Sequence, residues 1–178
     1  DEGLYERLKI MRTHGAKPKY YHGVIGGNFR LDPIQAAILL VKLPHLEAWS
    51  AARRGNAEYY NMRFAASPIT TPFVSDTCVT IYNQYVIRTP RRDVLAARLK
   101  RENIGSEIYY PLPLHLQKCF SQLGYGEGDL GVAEQSAREV LALSCYPELT
   151  AEMRKHVADT VLEAVEELHG AQLVADHQ

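Results

Sequence analysis

The periodicity of the chain changes once, at Ser67-Pro68-Ile69-Thr70-Thr71-Pro72. Ahead of that stretch apolar residues recur at helical spacing; behind it, runs rich in β-branched and aromatic residues alternate with amphipathic helical runs. A sheet can therefore be built only from the rear part, and the front helices have no strands of their own to cover. With 178 residues and 46 % hydrophobic content there is material for a core in one large domain or two small ones. No internal repeat is present.

In the front part, residues 1–14 place Leu4, Leu8 and Met11 on one helical face with acids at the start, and Gly15 stops the helix. "AKPKYYHGVIGG" reads as a loop from its Pro and Gly content. Asp32-Pro33-Ile34-Gln35 is a helix start: Asp caps, Pro takes the first helical position, and Gln can reach back to the cap. Ile34, Ala37, Ile38 and Val41 give that helix one apolar stripe. Pro44 breaks or restarts it, and a further helix is predicted from about His45 to Ala65, carrying Leu46, Trp49 and Tyr60.

In the rear part, "CVTIYNQYVIRT" predicts a strand, "RRDVLAARLKREN" an amphipathic helix, and "IGSEIYY" a strand ending at Pro111. The strand near residues 79–88 is expected to pair with the one near 104–110. "VAEQSAREVLAL" reads as helical and "SCYPEL" as a short extended piece. Thr150 caps a last helix on which Met153, Val157, Val161 and Val165 repeat at i, i+4, and "GAQLVADHQ" reads as a loose tail.

Bulk chemistry narrows the function classes. A formal charge of −1 produces no global field for nucleic acid or an anionic membrane. No apolar run approaches the ~20 residues of a membrane span, and no stretch of these residues reads as a secretory signal. Cys78, Cys119 and Cys145 are odd in number and far apart, which points to free thiols in a reducing, cytoplasmic setting and to neither a disulfide framework nor a zinc site. His45, His156 and His169 read as helix-surface residues without metal-ligand spacing, and Arg53-Arg54 and Arg91-Arg92 as solvated helix faces.

The stretch Arg12-Thr13-His14-Gly15, Lys19-Tyr20-Tyr21-His22, Gly26 through Ala37 and then "KLPHLEAW" is similar to the DegT/DnrJ/StrS sugar aminotransferases, whose pattern is R-x-H-G, K-Y-x-H, G-x-N-x-R-L-D-x-x-Q-A-A, K-L-x-x-L-x-x-W. "YVIRTPRRDVLAARLKRENIGSEIYYPLPLHLQ" resembles that family's strand, helix and Y-P-x-P-L-H-L-Q segment, and "YPELT" its lead into the last helix. The resemblance implies an α/β chain: the carboxyl-terminal part of a fold-type I aminotransferase that uses pyridoxal 5'-phosphate (PLP). Residues 1–66 would be the last helices of the large domain, residues 67–170 a small α/β domain with a mainly antiparallel sheet, and residues 171–178 a tail. The absence of an initial Met fits an expectation that the Schiff-base lysine lies upstream. Lys9, Lys42, Lys100 and Lys155 fall on polar helix faces and Lys17 and Lys19 in a loop, so none matches the catalytic position.

The resemblance also implies roles. Asn28, which by itself suits a turn, would donate to the cofactor phosphate of a neighbouring subunit, beside glycines that let backbone approach an anion. Arg30, otherwise a solvated loop residue, would reach into that neighbour's site and bind the acidic groups of a nucleotide sugar. Tyr109 and Tyr110 suit packed strand aromatics and also match a substrate-side dipeptide. His115 suits a helix cap and also matches the substrate-contacting histidine of P-L-H-L-Q. Tyr20 and His22 lie in a matched motif on the substrate side. The implied function is transfer of an amino group from L-glutamate to a nucleotide-linked keto-sugar by a homodimer with shared sites. The "N-x-R-L-D-x-x-Q-A-A" wording leans to a 3-keto sugar. Alternatives are a dehydratase of the same family, with His in place of the lysine, and a noncatalytic binding or regulatory module.

Overall fold

A computed structural model describes the backbone of residues 1–175 and the side chains through residue 167, so His169 lies outside the described side chains. The chain divides into two compact units, Asp1–Leu46 and a second from Glu47 onward.

The first unit carries α1 (Glu2–Met11) and α2 (Pro33–Lys42), followed by a 3₁₀ turn at Leu43–His45. Both helix starts follow from local chemistry. The Asp1 carboxylate accepts the Leu4 N–H at 3.1 Å, and Asp32 accepts the Ile34 N–H at 2.8 Å with Pro33 at the first helical position. Neither helix has a buried residue: Leu4, Leu8, Ile34 and Ile38 of the expected apolar faces are all exposed.

The second unit carries α3 (Leu46–Phe64), β1 (Tyr85–Arg88), α4 (Arg92–Arg101), β2 (Ser106–Glu107), 3₁₀ turns at Leu114–Leu116 and Lys118–Leu123, α5 (Gly131–Glu139), β3 (Val140–Leu143) and α6 (Ala151–Ala175). Its core brings Tyr60 and Phe64 of α3 against Tyr85, Ile87, Leu95, Leu99, Leu141, Val157 and Val161. The Tyr60 ring stacks on Phe64 with centroids 5.8 Å apart and tilts against Tyr85 at 5.2 Å. Burying aromatics of this size stabilises by roughly 1.5–3 kcal/mol each. That packing ties α3 to the rear unit, although helical periodicity alone groups it with the front helices. Burial pushes both the Tyr60 and Tyr85 phenols above their ordinary values, so each remains a neutral donor.

The sheet is antiparallel with strand order β1-β3-β2. The strands near 79–88 and 104–110 share that sheet but do not pair, because β3 runs between them: Tyr85 and Ser106 both register on Leu143. β3 also corrects the reading of "VAEQSAREVLAL" as one helix. α5 ends at Glu139, and the four apolar residues that follow are a buried strand. A short apolar run has no period that separates a buried strand from buried helix. The change of structure is held by arginines from elsewhere: Arg92 donates to the carbonyls of Ala137 and Val140 at 3.1 and 3.2 Å, and Arg88 pairs with Glu139 at 2.7 Å.

The strand pieces are shorter than expected. Residues 78–84 are irregular, with Val79 86 % exposed, and β2 spans only Ser106–Glu107. Thr150 Oγ1 accepts the Met153 N–H at 3.2 Å as α6 begins, and the helix continues to Ala175, into the stretch read as tail. Among the described residues no helix is long and apolar enough to cross a membrane.

Candidate functional site

In the first unit, the sequence between α1 and α2 folds back onto the end of α1. The Gly27 N–H donates to Met11 O at 2.9 Å, the His14 N–H to Gly27 O at 2.9 Å, and the Phe29 N–H to Arg12 O at 3.1 Å. These bonds join R-T-H-G to G-G-N-F-R and set Thr13 opposite Asn28 in a bridge. Two glycines make the approach possible. A Cβ on Gly26 would lie 2.4 Å from Gly15 N and 2.5 Å from Met11 O; one on Gly15, at φ +73°, would lie 1.7 Å from Val24 O.

Asn28 and Arg30 are held together at the end of this fold-back. Arg30 Nε donates to Asn28 Oδ1 at 2.9 Å, which orients the amide so that its two N–H donors point away from the guanidinium. Neither those donors nor the Arg30 charge has a described ion-pair partner, and both side chains are exposed. Such a donor set, on backbone pinned by three hydrogen bonds, is suited to an anion. His22 is fixed separately, its Nδ1 donating to His14 O at 2.8 Å. Tyr20 is exposed at φ +73°, with the Lys19 ammonium 4.9 Å over its ring.

The other predicted site residues lie in the second unit. Tyr109 and Tyr110 follow β2 with ring centroids 5.7 Å apart, joined by a cis peptide; Tyr109 is 37 % and Tyr110 71 % exposed. His115 differs from them: it is buried, and its Nε2 donates to Glu134 at 3.1 Å. It neither caps a helix nor presents that nitrogen outward.

Glu134 was missed from the sequence. Its carboxylate also accepts the Gly128 N–H at 2.9 Å and the Leu130 N–H at 3.3 Å, so it gathers the Gly-rich loop and His115 onto the first turn of α5. Burial opposes its charge, but the His115 bond and the two backbone donors outweigh that and hold the carboxyl below its ordinary range. The available signal was a carboxylate four residues after Leu130, placed to cap the loop entering a helix.

Two arginines of the pairs read as solvated are structural. Arg92 is buried, and Arg53 donates to Cys145 O at 2.6 Å and to Tyr82 O at 3.3 Å.

The model of the DegT/DnrJ/EryC1/StrS aminotransferase family matches residues 1–162. The chain belongs to this family. It is 46 % identical over 166 residues to a "Pleiotropic regulatory protein" of Geobacillus stearothermophilus, covering 92 % of this chain and 45 % of that protein. It is 36 % identical over 172 residues to a dTDP-3-amino-3,4,6-trideoxy-alpha-D-glucose transaminase of Streptomyces venezuelae, covering 96 % and 45 %. Among solved structures, S. venezuelae DesV in complex with a ketimine intermediate superposes with a TM-score of 0.89 at 36 % identity, over 93 % of this chain and 45 % of DesV. The chain thus spans under half the length of these relatives. Its helices with a small antiparallel sheet are part of the fold-type I aminotransferase architecture.

Proposed function

We propose that this chain is part of a PLP-dependent aminotransferase that moves an amino group from L-glutamate to a nucleotide-linked keto-sugar, with a lean to the 3-keto position. The observation that carries this reading is the Asn28–Arg30 pair. An amide with both N–H donors outward and a guanidinium that has no ion-pair partner among the described residues sit on a fold-back that two glycines make possible. Those residues fit a phosphorylated cofactor: Asn28 would donate to its phosphate, and Arg30 would meet an acidic group of the nucleotide sugar. When bound, PLP supplies the electron sink that amino-group transfer requires. The work of this chain's residues is positioning. Tyr109 and Tyr110 offer phenols and ring faces to substrate, while the buried His115–Glu134 pair fixes the segment that follows them. Asn28 and Arg30 serve a neighbouring subunit, so the assembly is a homodimer with shared sites.

None of the lysines of this chain is assigned the Schiff-base role, so the 178 residues alone are expected to be inactive. The deciding experiment supplies PLP, L-glutamate and UDP- or dTDP-linked keto-sugars to the isolated chain and to a longer polypeptide carrying the upstream lysine region, and follows 2-oxoglutarate. Turnover by the longer protein only is the expected result. Turnover by the chain alone, with borohydride-trapped cofactor on one of its lysines, would overturn the assignment of that role upstream. A regulatory reading is favoured by one observation, the name of the Geobacillus relative. It predicts cofactor or nucleotide-sugar binding with no 2-oxoglutarate from either protein.

A further inference from the structure

At the end of the sheet where Tyr85, Leu143 and Ser106 come into register, the second unit has a shallow cleft of about 240 Å³. Asn83 and Gln84 line one side, Ser106, Glu107 and Tyr109 the other, and Ser144 stands between them. Gly105 and Ala142 contribute no bulk, which is why there is space. The volume is below the 300–1,000 Å³ typical of pockets that enclose a whole ligand, so the cleft suits one ring of an elongated molecule.

The lining has a definite chemistry. Among the described residues it offers two carboxamides, three hydroxyls and one carboxylate around an aromatic ring, and no Lys or Arg. The Glu107 carboxylate accepts the Ile108 N–H at 3.0 Å through Oε1, which holds the group in place and leaves Oε2 available to accept. Ser144 Oγ spends its proton on Gly105 O at 2.9 Å, so towards the cleft it too is an acceptor. Fixed acceptors beside amides that both donate and accept match adjacent hydroxyls, and a phenol ring can cover the C–H face of a sugar. A phosphate would meet the like charge of Glu107, and the nearest cation, Arg53, stands behind the lining with its guanidinium taken up by the carbonyls of Cys145, Tyr82 and Asn83.

The walls are set before any ligand arrives. Arg53 binds Cys145 O at 2.6 Å, Tyr82 O at 3.3 Å and Asn83 O at 3.4 Å, tying the Asn83 side of the cleft to the segment after β3 from behind. Tyr60 donates to Ser144 O at 3.0 Å from the core. A site whose groups are already held loses less freedom on binding.

We infer that this cleft binds an uncharged polyhydroxyl ring of the nucleotide sugar, with Gln84 and Glu107 reading its hydroxyls and Tyr109 covering its face. The inference rests on the nucleotide-sugar reading above and adds residues to it. Either the ribose or the linked hexose could supply the ring, and calorimetric titration of the longer polypeptide that carries the upstream lysine region, with UDP and with UDP-N-acetylglucosamine, separates them. In Glu107→Ala and Gln84→Ala, affinity is expected to fall about tenfold or more. A loss for both ligands assigns the cleft to the ribose; a loss for the sugar-linked ligand alone assigns it to the hexose. Gly105→Ala supplies a steric arm, since its Cβ would sit at ordinary contact distance, 3.6 Å from Ser144 Oγ, and take up part of the space beside Ser144 with no backbone clash. It should weaken the same ligand several-fold with an unchanged melting temperature. If the wild type binds UDP-N-acetylglucosamine and all three variants bind both ligands equally well, the cleft is not a subsite. If the wild type binds neither ligand, the nucleotide-sugar reading itself fails and this inference goes with it.

Discussion

Gly26→Ala should break the fold-back that carries Asn28 and Arg30. The new Cβ would lie 2.4 Å from Gly15 N, 2.5 Å from Met11 O and 2.9 Å from His14 C, all backbone atoms that no rotamer change can move away. The loop must separate from the end of α1, and the bonds from Gly27 N to Met11 O, His14 N to Gly27 O and Phe29 N to Arg12 O lie at the point of separation. At a net 0.5–1.5 kcal/mol per hydrogen bond, losing these three destabilises the fold-back by about 1.5–4.5 kcal/mol. Amide hydrogen exchange at Gly27 and Phe29 reads this directly, as a fall in protection of about ten- to two-thousandfold. Gly23→Ala is the control: a Cβ there meets nothing within 4 Å, and protection should be unchanged. Equal protection in Gly26→Ala and wild type would refute the argument that close backbone approach demands glycine at this position.

Asn28→Ala should weaken PLP retention by roughly 1.5–3 kcal/mol, the scale of one hydrogen bond to a charged group; unchanged affinity in equilibrium dialysis would remove Asn28 from the site. Tyr60→Phe deletes the donor to the part-buried Ser144 carbonyl, which should lower stability by about 0.5–1.5 kcal/mol in urea titration; an unchanged midpoint would refute that role. Stability should also fall in acid. The Asp159 carboxyl is held below its ordinary value by Lys155 and Arg63, and Glu139 by Gln135 and Arg88. A carboxyl depressed in the folded state contributes stability that is full above its unfolded value of about 4 and is lost as pH falls through the lower folded value. The urea midpoint should therefore drop below about pH 4, with Asp159→Asn flattening the dependence; a midpoint independent of pH there would contradict it.

Where the deciding contacts are local, the sequence was enough. Asp32 caps a helix two residues away, Thr150 three away, and each bond follows from backbone geometry that the residue type itself favours. The family motifs were legible for the same reason, since R-x-H-G and G-x-N-x-R are short runs whose glycines permit backbone contact. What the tertiary structure decided depends on partners far along the chain. "VLAL" is a strand because β1 and β2 lie on either side of it and Arg92 takes the carbonyls at the end of α5. Arg53 looked like a solvated helix charge because its acceptor, Cys145 O, lies 92 residues away. His115 matched a substrate-contact motif, yet Glu134, 19 residues on, takes its Nε2 in the interior. Periodicity and motif spacing report what a residue can bond nearby; which distant carbonyl or carboxylate reaches it first is settled only when the chain packs and buried polar groups must all find partners.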